Sequence, residues 1–241
     1  MYYYIFDPPA GANEYDRVAK IKERLSSLGI AGEMTTPQPG RSIPELIQNA
    51  LAKRYATIVA VGGVSLVNQV ARAIAPHDLV FGIIPLAENH DLFNLINVTS
   101  WEAAAEQLKR RRWVHTQLGV INQEVFFLTP ATIQLPRGTT LTAETKDFEL
   151  TDASCAHVAV TPAEQLTITL TPHEQKSGGM FSGLLRKKVE PPRVSSFTAT
   201  EVGIRTATPL PVIVAGSEIC QTPITCSTES HKIRLIVGRV D

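Results

Sequence analysis

Only three cysteines occur among 241 residues, Cys155, Cys220 and Cys226, an odd count without zinc-ligand spacing. A disulfide framework and a structural zinc site are therefore excluded, and reduced thiols in a cytoplasmic protein are expected. The six histidines, at 77, 90, 115, 157, 173 and 231, include no His-x-x-x-His pair. Excess charge is missing as well, since 23 Lys and Arg balance 23 Asp and Glu. The overall field therefore draws the chain neither to nucleic acid nor to an anionic membrane, and an anionic partner would have to meet a local patch. No apolar run reaches the roughly 20 residues of a membrane-spanning helix. The opening Met1-Tyr2-Tyr3-Tyr4-Ile5-Phe6 lacks the basic start and long apolar core of a signal peptide. Neither a Gly-x-Ser-x-Gly elbow nor a Walker Gly-Lys-Ser is found, which removes the commonest serine-hydrolase and P-loop signatures.

What is present is a chain 44% hydrophobic and long enough for one or two buried cores. Residues 3–6 read as a first strand that feeds a Pro- and Gly-containing turn. Apolar residues at three- and four-residue spacing (Val18, Ile21, Leu25, Leu28) predict a helix over 15–28, closed by Gly29. A short strand over 32–35 precedes a second helix, with Ser42 at its N-cap, Pro44 in its first turn and Leu46, Ile47, Ala50 and Leu51 on its apolar face. Strand, helix and strand follow over 56–61, 67–74 and 79–85, and a further helix over 101–112. Continuous apolar strands alternating with amphipathic helices imply a parallel sheet covered on both faces. Its ligand crevice belongs at the C-terminal ends of the strands.

Two strand ends carry the motifs that point to chemistry. The first is Gly62-Gly63-Val64-Ser65-Leu66 and the second Pro85-Leu86-Ala87-Glu88-Asn89-His90-Asp91. They resemble the Gly-Gly-Asp-Gly-Thr and Pro-Leu-Gly-Thr-Gly-Asn-Asp loops of the diacylglycerol and sphingosine kinase family and the related NAD kinases. Asp7-Pro8-Pro9-Ala10-Gly11 resembles that family's Asn-Pro-x-Ser-Gly, Thr36 falls where the family has a threonine near the nucleotide, and Asn68 matches its loop-to-helix asparagine. The resemblance implies an ATP-dependent lipid kinase using Mg2+, with Asp7, Gly11, Thr36, Gly62, Gly63, Asn68, Glu88 and Asp91 around the nucleotide. The departures bear on activity. A phosphate-holding turn needs open backbone N–H groups and little side chain. Val64 replaces a carboxylate, Ser65 a glycine and Leu66 a hydroxyl, while Glu88 and Asp7 add negative charge where phosphate oxygens are expected.

From residue 113 onward the pattern turns to short β-rich runs with turn residues between them: 117–121, 125–128, 140–144, 148–150, 156–160, 165–170, 195–202, 203–206, 211–214 and 231–237. These predict an antiparallel β-sandwich, as in the family's second domain, which Leu118-Gly119-Val120-Ile121 resembles at its entry. The family closes this domain with a hairpin carrying Asp-Gly-Glu, whose aspartate is its general base. Here Pro211-Val212-Ile213-Val214-Ala215-Gly216-Ser217-Glu218 puts Ala215 at that position. Glu218 is the one catalytic candidate left, reaching the site only if the turn is one residue longer.

The expected architecture is a Rossmann-like three-layer α/β domain over 1–112 and a β-sandwich over 113–241. Two basic stretches stand apart. The run Lys109-Arg110-Arg111-Arg112 either complements a helix dipole or touches lipid phosphates. The stretch 175–188, with Met180, Phe181, Leu184 and Leu185 beside Arg186, Lys187 and Lys188, reads either as a membrane-surface or partner loop or as a hairpin tip folded on its own sheet. Three functional readings are open at this point. One is a catalytically impaired relative with a binding or scaffold role, whose cleft takes ATP and Mg2+, a lipid or nothing. Another is an active lipid kinase relying on Glu88, Asp91 and Glu218. The last is a module of peripheral membrane attachment.

Overall fold

A computed structural model describes residues 1–9, 11–173 and 194–239. The stretch 175–188 lies outside the described residues. Four parallel strands open the chain: β1 (Tyr2–Phe6), β2 (Glu33–Thr35), β3 (Thr57–Gly62) and β4 (Val80–Pro85). They are ordered β2-β1-β3-β4 and joined through α1 (Ala12–Ser27), α2 (Ile43–Ala52) and α3 (Val64–Ile74). Every residue of β1, β3 and β4 is buried, which is what a sheet covered on both faces requires of its strands. α2 starts as its sequence foretells, with the Glu45 carboxylate accepting from the Ser42 N–H at 2.6 Å and the Ser42 hydroxyl at 3.0 Å. Beyond β4 come α4 (His90–Leu95) and α5 (Trp101–Arg110), the latter ending on Arg111 in the left-handed conformation.

The second half is antiparallel. β5 (Trp113–Ile121) and β6 (Val125–Phe127) are followed by β7 (Ala131–Gln134), β8 (Leu141–Glu144), β9 (Glu149–Asp152), β10 (Cys155–Thr161), β11 (Leu166–Pro172), β12 (Ser195–Ala199), β13 (Glu201–Thr206), β14 (Pro211–Val214), β15 (Ser217–Gln221) and β16 (Ile224–Ile236). One sheet runs β12-β11-β10-β7-β14-β15. It faces β8, β13 and the first half of β16 across a core that includes Ile133, Val158, Ile168, Val212, Leu141, Ile204 and Cys226. Each such buried aliphatic side chain contributes roughly 1.5–3 kcal/mol by leaving water.

β16 ties the halves together. Its first part pairs with β13, its last part lies parallel to β4 (Arg234 opposite Val80, Leu235 opposite Phe81), and β5 runs antiparallel along it. One ten-stranded sheet therefore passes through both halves. β16 is longer than the strand read over 231–237 because Thr225, Ser227 and Thr228 separate its inward-facing Ile224 and Cys226. α4, β7 and β15 were not legible; each is six residues or shorter. No helix among the described residues is long and apolar enough to cross a membrane.

Candidate functional site

The strand order reverses direction between β1 and β3, so the crevice of this sheet opens where those two strands end. Asp7 leaves β1 there and Gly63 leaves β3. The two are joined: the Asp7 carboxylate Oδ2 accepts a hydrogen bond from the Gly63 N–H at 2.7 Å, and the Asp7 N–H donates to the Val61 carbonyl at 2.9 Å. Gly63 is the N-cap of α3, so the half-buried carboxylate occupies the positive end of that helix. Burial pushes the Asp7 carboxyl above its ordinary value; the Gly63 N–H pulls it partly back, and the Glu14 carboxylate adds to the rise.

The first motif is tighter than a phosphate turn. α3 begins at Val64, not at residue 67, so Val64, Ser65 and Leu66 form its first turn instead of a loop. The reason is that Leu66 belongs to the buried apolar face with Val67, Val70 and Ile74. At Gly62 a Cβ would lie 2.2 Å from Asp7 Oδ2 and 2.8 Å from the Leu66 side chain. Gly62 is thus required by close packing of chain on chain, and the space is filled by Asp7 and Leu66. Gly11 caps α1 in an extended conformation, with nothing near its Cβ position.

The other candidates divide into three groups. Asp91 joins Gly63, Val64, Ser65, Thr129, Pro130, Thr132, Ile213, Ala215 and Gly216 around a cleft of about 480 Å³ between the two halves. Thr36 lines a separate hollow of about 420 Å³ with Asp7, Lys22 and Arg41. Glu88 lies in a third hollow, with Arg17, Phe93 and Trp101. Asn68 faces no cleft. Its amide donates to the Val64 carbonyl (2.9 Å) and the Thr129 hydroxyl (2.7 Å) and accepts from the Leu128 and Thr129 N–H groups (2.8 and 3.3 Å), which uses its whole donor and acceptor set. These bonds clamp α3 to the β6–β7 connection, a role that no sequence signal within α3 discloses.

At the far wall, β14 and β15 are joined by a two-residue turn, because Val214 pairs with Ser217. Ala215 (φ 56°) and Gly216 (φ 78°) both take positive φ, the type I′ pattern that favours Asn-Gly or Asp-Gly. The turn is not lengthened. Glu218 pairs across from Ile213, one strand spacing beyond the cleft wall, and accepts a hydrogen bond from the Gln221 amide at 3.1 Å. Among the described residues, no three His, Cys, Asp or Glu side chains come together to hold a metal ion.

Residues 1–121 match the diacylglycerol kinase catalytic domain family. The crystal structure of a diacylglycerol kinase from Bacillus anthracis str. Sterne superposes with a TM-score of 0.73 at 17% identity, covering 99% of this chain and 97% of that one. A yeast NADH kinase complexed with NADH gives a TM-score of 0.54 at 10% identity, covering 100% and 84%. At such identities these structures establish a shared fold. No curated protein matches the chain.

Proposed function

The chain belongs to the diacylglycerol kinase catalytic domain family, and from that premise we propose that it keeps the family fold in a binding or scaffold role while phosphoryl transfer is impaired. The observation that carries this reading is the Asp7 carboxylate on the Gly63 N–H at 2.7 Å. A helix N-terminus binds phosphate by offering unpaired N–H groups and positive potential. Here a fixed anion of the chain itself takes that place, and a triphosphate would have to displace or face it.

ATP with magnesium is what the family implies, and the residues present do not fit it. The wall of the inter-half cleft supplies one carboxylate, Asp91, and no lysine or arginine. Phosphoryl transfer depends on positioning and on neutralising charge over the transferred group, and that wall offers little means of neutralisation. A base is missing in the same place. Ala215 bears no proton acceptor, although its backbone keeps the turn geometry that suits aspartate.

The direct test is a transfer assay with γ-labelled ATP, magnesium and diacylglycerol in mixed micelles. The reading expects labelled lipid at the level of the enzyme-free control. Steady turnover abolished by Asp91→Asn would establish the active-kinase alternative instead.

A further inference from the structure

In the second half of β16 the sheet order is β4-β16-β5, and β6 covers β5 only over Gly119–Ile121. The first residues of β5, 113–116, therefore form an edge with which no described strand pairs. The ladder shows which backbone groups face outward. Val237 N–H donates to the Arg112 carbonyl and Asn122 N–H to the Thr225 carbonyl. Hydrogen-bonded pairs in an antiparallel ladder alternate, so even-numbered residues of β5 bond to β16 and odd-numbered ones face away. Gly119 and Ile121 use those outward groups on β6. Trp113 and His115 direct theirs to the open edge.

The side chains add to the exposure. Trp113 is 40% and Val114 38% exposed, two of the few large apolar residues on the surface. The Trp113 ring is held edge-on to His115 at 5.0 Å, with the Arg234 guanidinium 5.4 Å from its centroid. Edge strands in monomeric proteins commonly carry a charge, a proline or a bulge against pairing. Trp-Val-His-Thr carries none of these.

We propose that this edge is a self-association surface on which a second copy adds its own β5 in antiparallel register, His115 opposite His115. The symmetry of that register fits the edge, because His115 is a residue whose N–H and C=O both face outward, as a hydrogen-bonded pair on a two-fold axis requires. Charge complementarity selects a second copy as the occupant. In this register, Trp113 of one copy lies opposite Gln117 of the other, which brings the exposed Arg112 beyond the end of that strand. The Gln117 amide donates to the Ala163 and Glu164 carbonyls at 3.0 and 2.9 Å, so the exposed Glu164 stands beside the arriving Arg112. Two such Arg112 to Glu164 pairs form by symmetry.

Sedimentation velocity on the full chain from about 1 to about 100 μM tests this. A concentration-dependent dimer is expected. His115→Pro removes only the outward N–H and leaves the ladder to β16 intact, so it should give a folded monomer with unchanged near-UV circular dichroism. Arg112→Glu should weaken dimerisation about tenfold, and Arg112→Glu with Glu164→Arg should restore it. A monomer throughout the range overturns the proposal, as does a dimer unaffected by His115→Pro and Arg112→Glu. A swap that fails to restore association overturns the His115-centred register.

Discussion

Replacing Asn68 by alanine separates a structural clamp from a ligand contact. The side chain is 4% exposed and makes four hydrogen bonds, two of them accepted from the Leu128 and Thr129 N–H groups. Alanine leaves both donors without a partner at a packed junction between α3 and the β6–β7 connection. Each buried orphan costs about 1–3 kcal/mol, while alanine regains roughly half a kcal/mol of helix propensity. A net loss of about 3 kcal/mol is expected, a large part of the 5–15 kcal/mol typical of a domain. Urea unfolding followed by far-UV circular dichroism measures it as a lowered midpoint. Asn68→Asp keeps both acceptors and loses the donors, so it should fall between wild type and alanine. A change below about 0.5 kcal/mol for Asn68→Ala would refute the clamp and return this residue to the ligand side of the ledger.

Asp7→Asn retains an acceptor for the Gly63 N–H and removes the buried charge. Because the folded-state carboxyl is raised, largely by burial, its stabilising contribution is present below the unfolded value and lost as pH rises through the folded one. The variant should match wild type near pH 4 and exceed it in melting temperature at pH 7. Gly62→Ala puts a methyl 2.2 Å from Asp7 Oδ2, and thermal melts should show a loss of about 1–3 kcal/mol as the loop shifts. Ala215→Asp relieves a positive φ of 56° in a type I′ turn and should raise stability by roughly 0.5–1 kcal/mol in the same assay. Restoring the family's first motif with Val64→Asp, Ser65→Gly and Leu66→Thr should cost about 2–4 kcal/mol, chiefly at the buried Leu66.

The parallel sheet was legible because β1, β3 and β4 are uninterrupted apolar runs, and α2 because Ser42 and Glu45 carry a local start signal. Local pattern was weaker where contacts are distant. Nothing near Asp7 in sequence announces a bond to Gly63, 56 residues on. The same holds for Asn68, a polar residue on an apolar helix whose partners Leu128 and Thr129 lie about 60 residues away. The first turn of α3 was read as loop because glycines suggested openness, whereas Leu66 extends the helical apolar face by one turn. Glu88 and Asp91, three residues apart, fall into different hollows because Asn89 caps α4 between them, its side chain accepting from the Leu92 N–H at 2.9 Å.

Calorimetric titration of the purified protein with ATP and magnesium, alongside ADP and magnesium-free controls and the Asp7→Asn variant, tests the central claim most directly. The account expects no magnesium-dependent heat at sub-millimolar nucleotide for wild type, and a gain in binding, if any appears, only in Asp7→Asn. Sub-millimolar, magnesium-dependent binding to wild type, unchanged by Asp7→Asn, would contradict it.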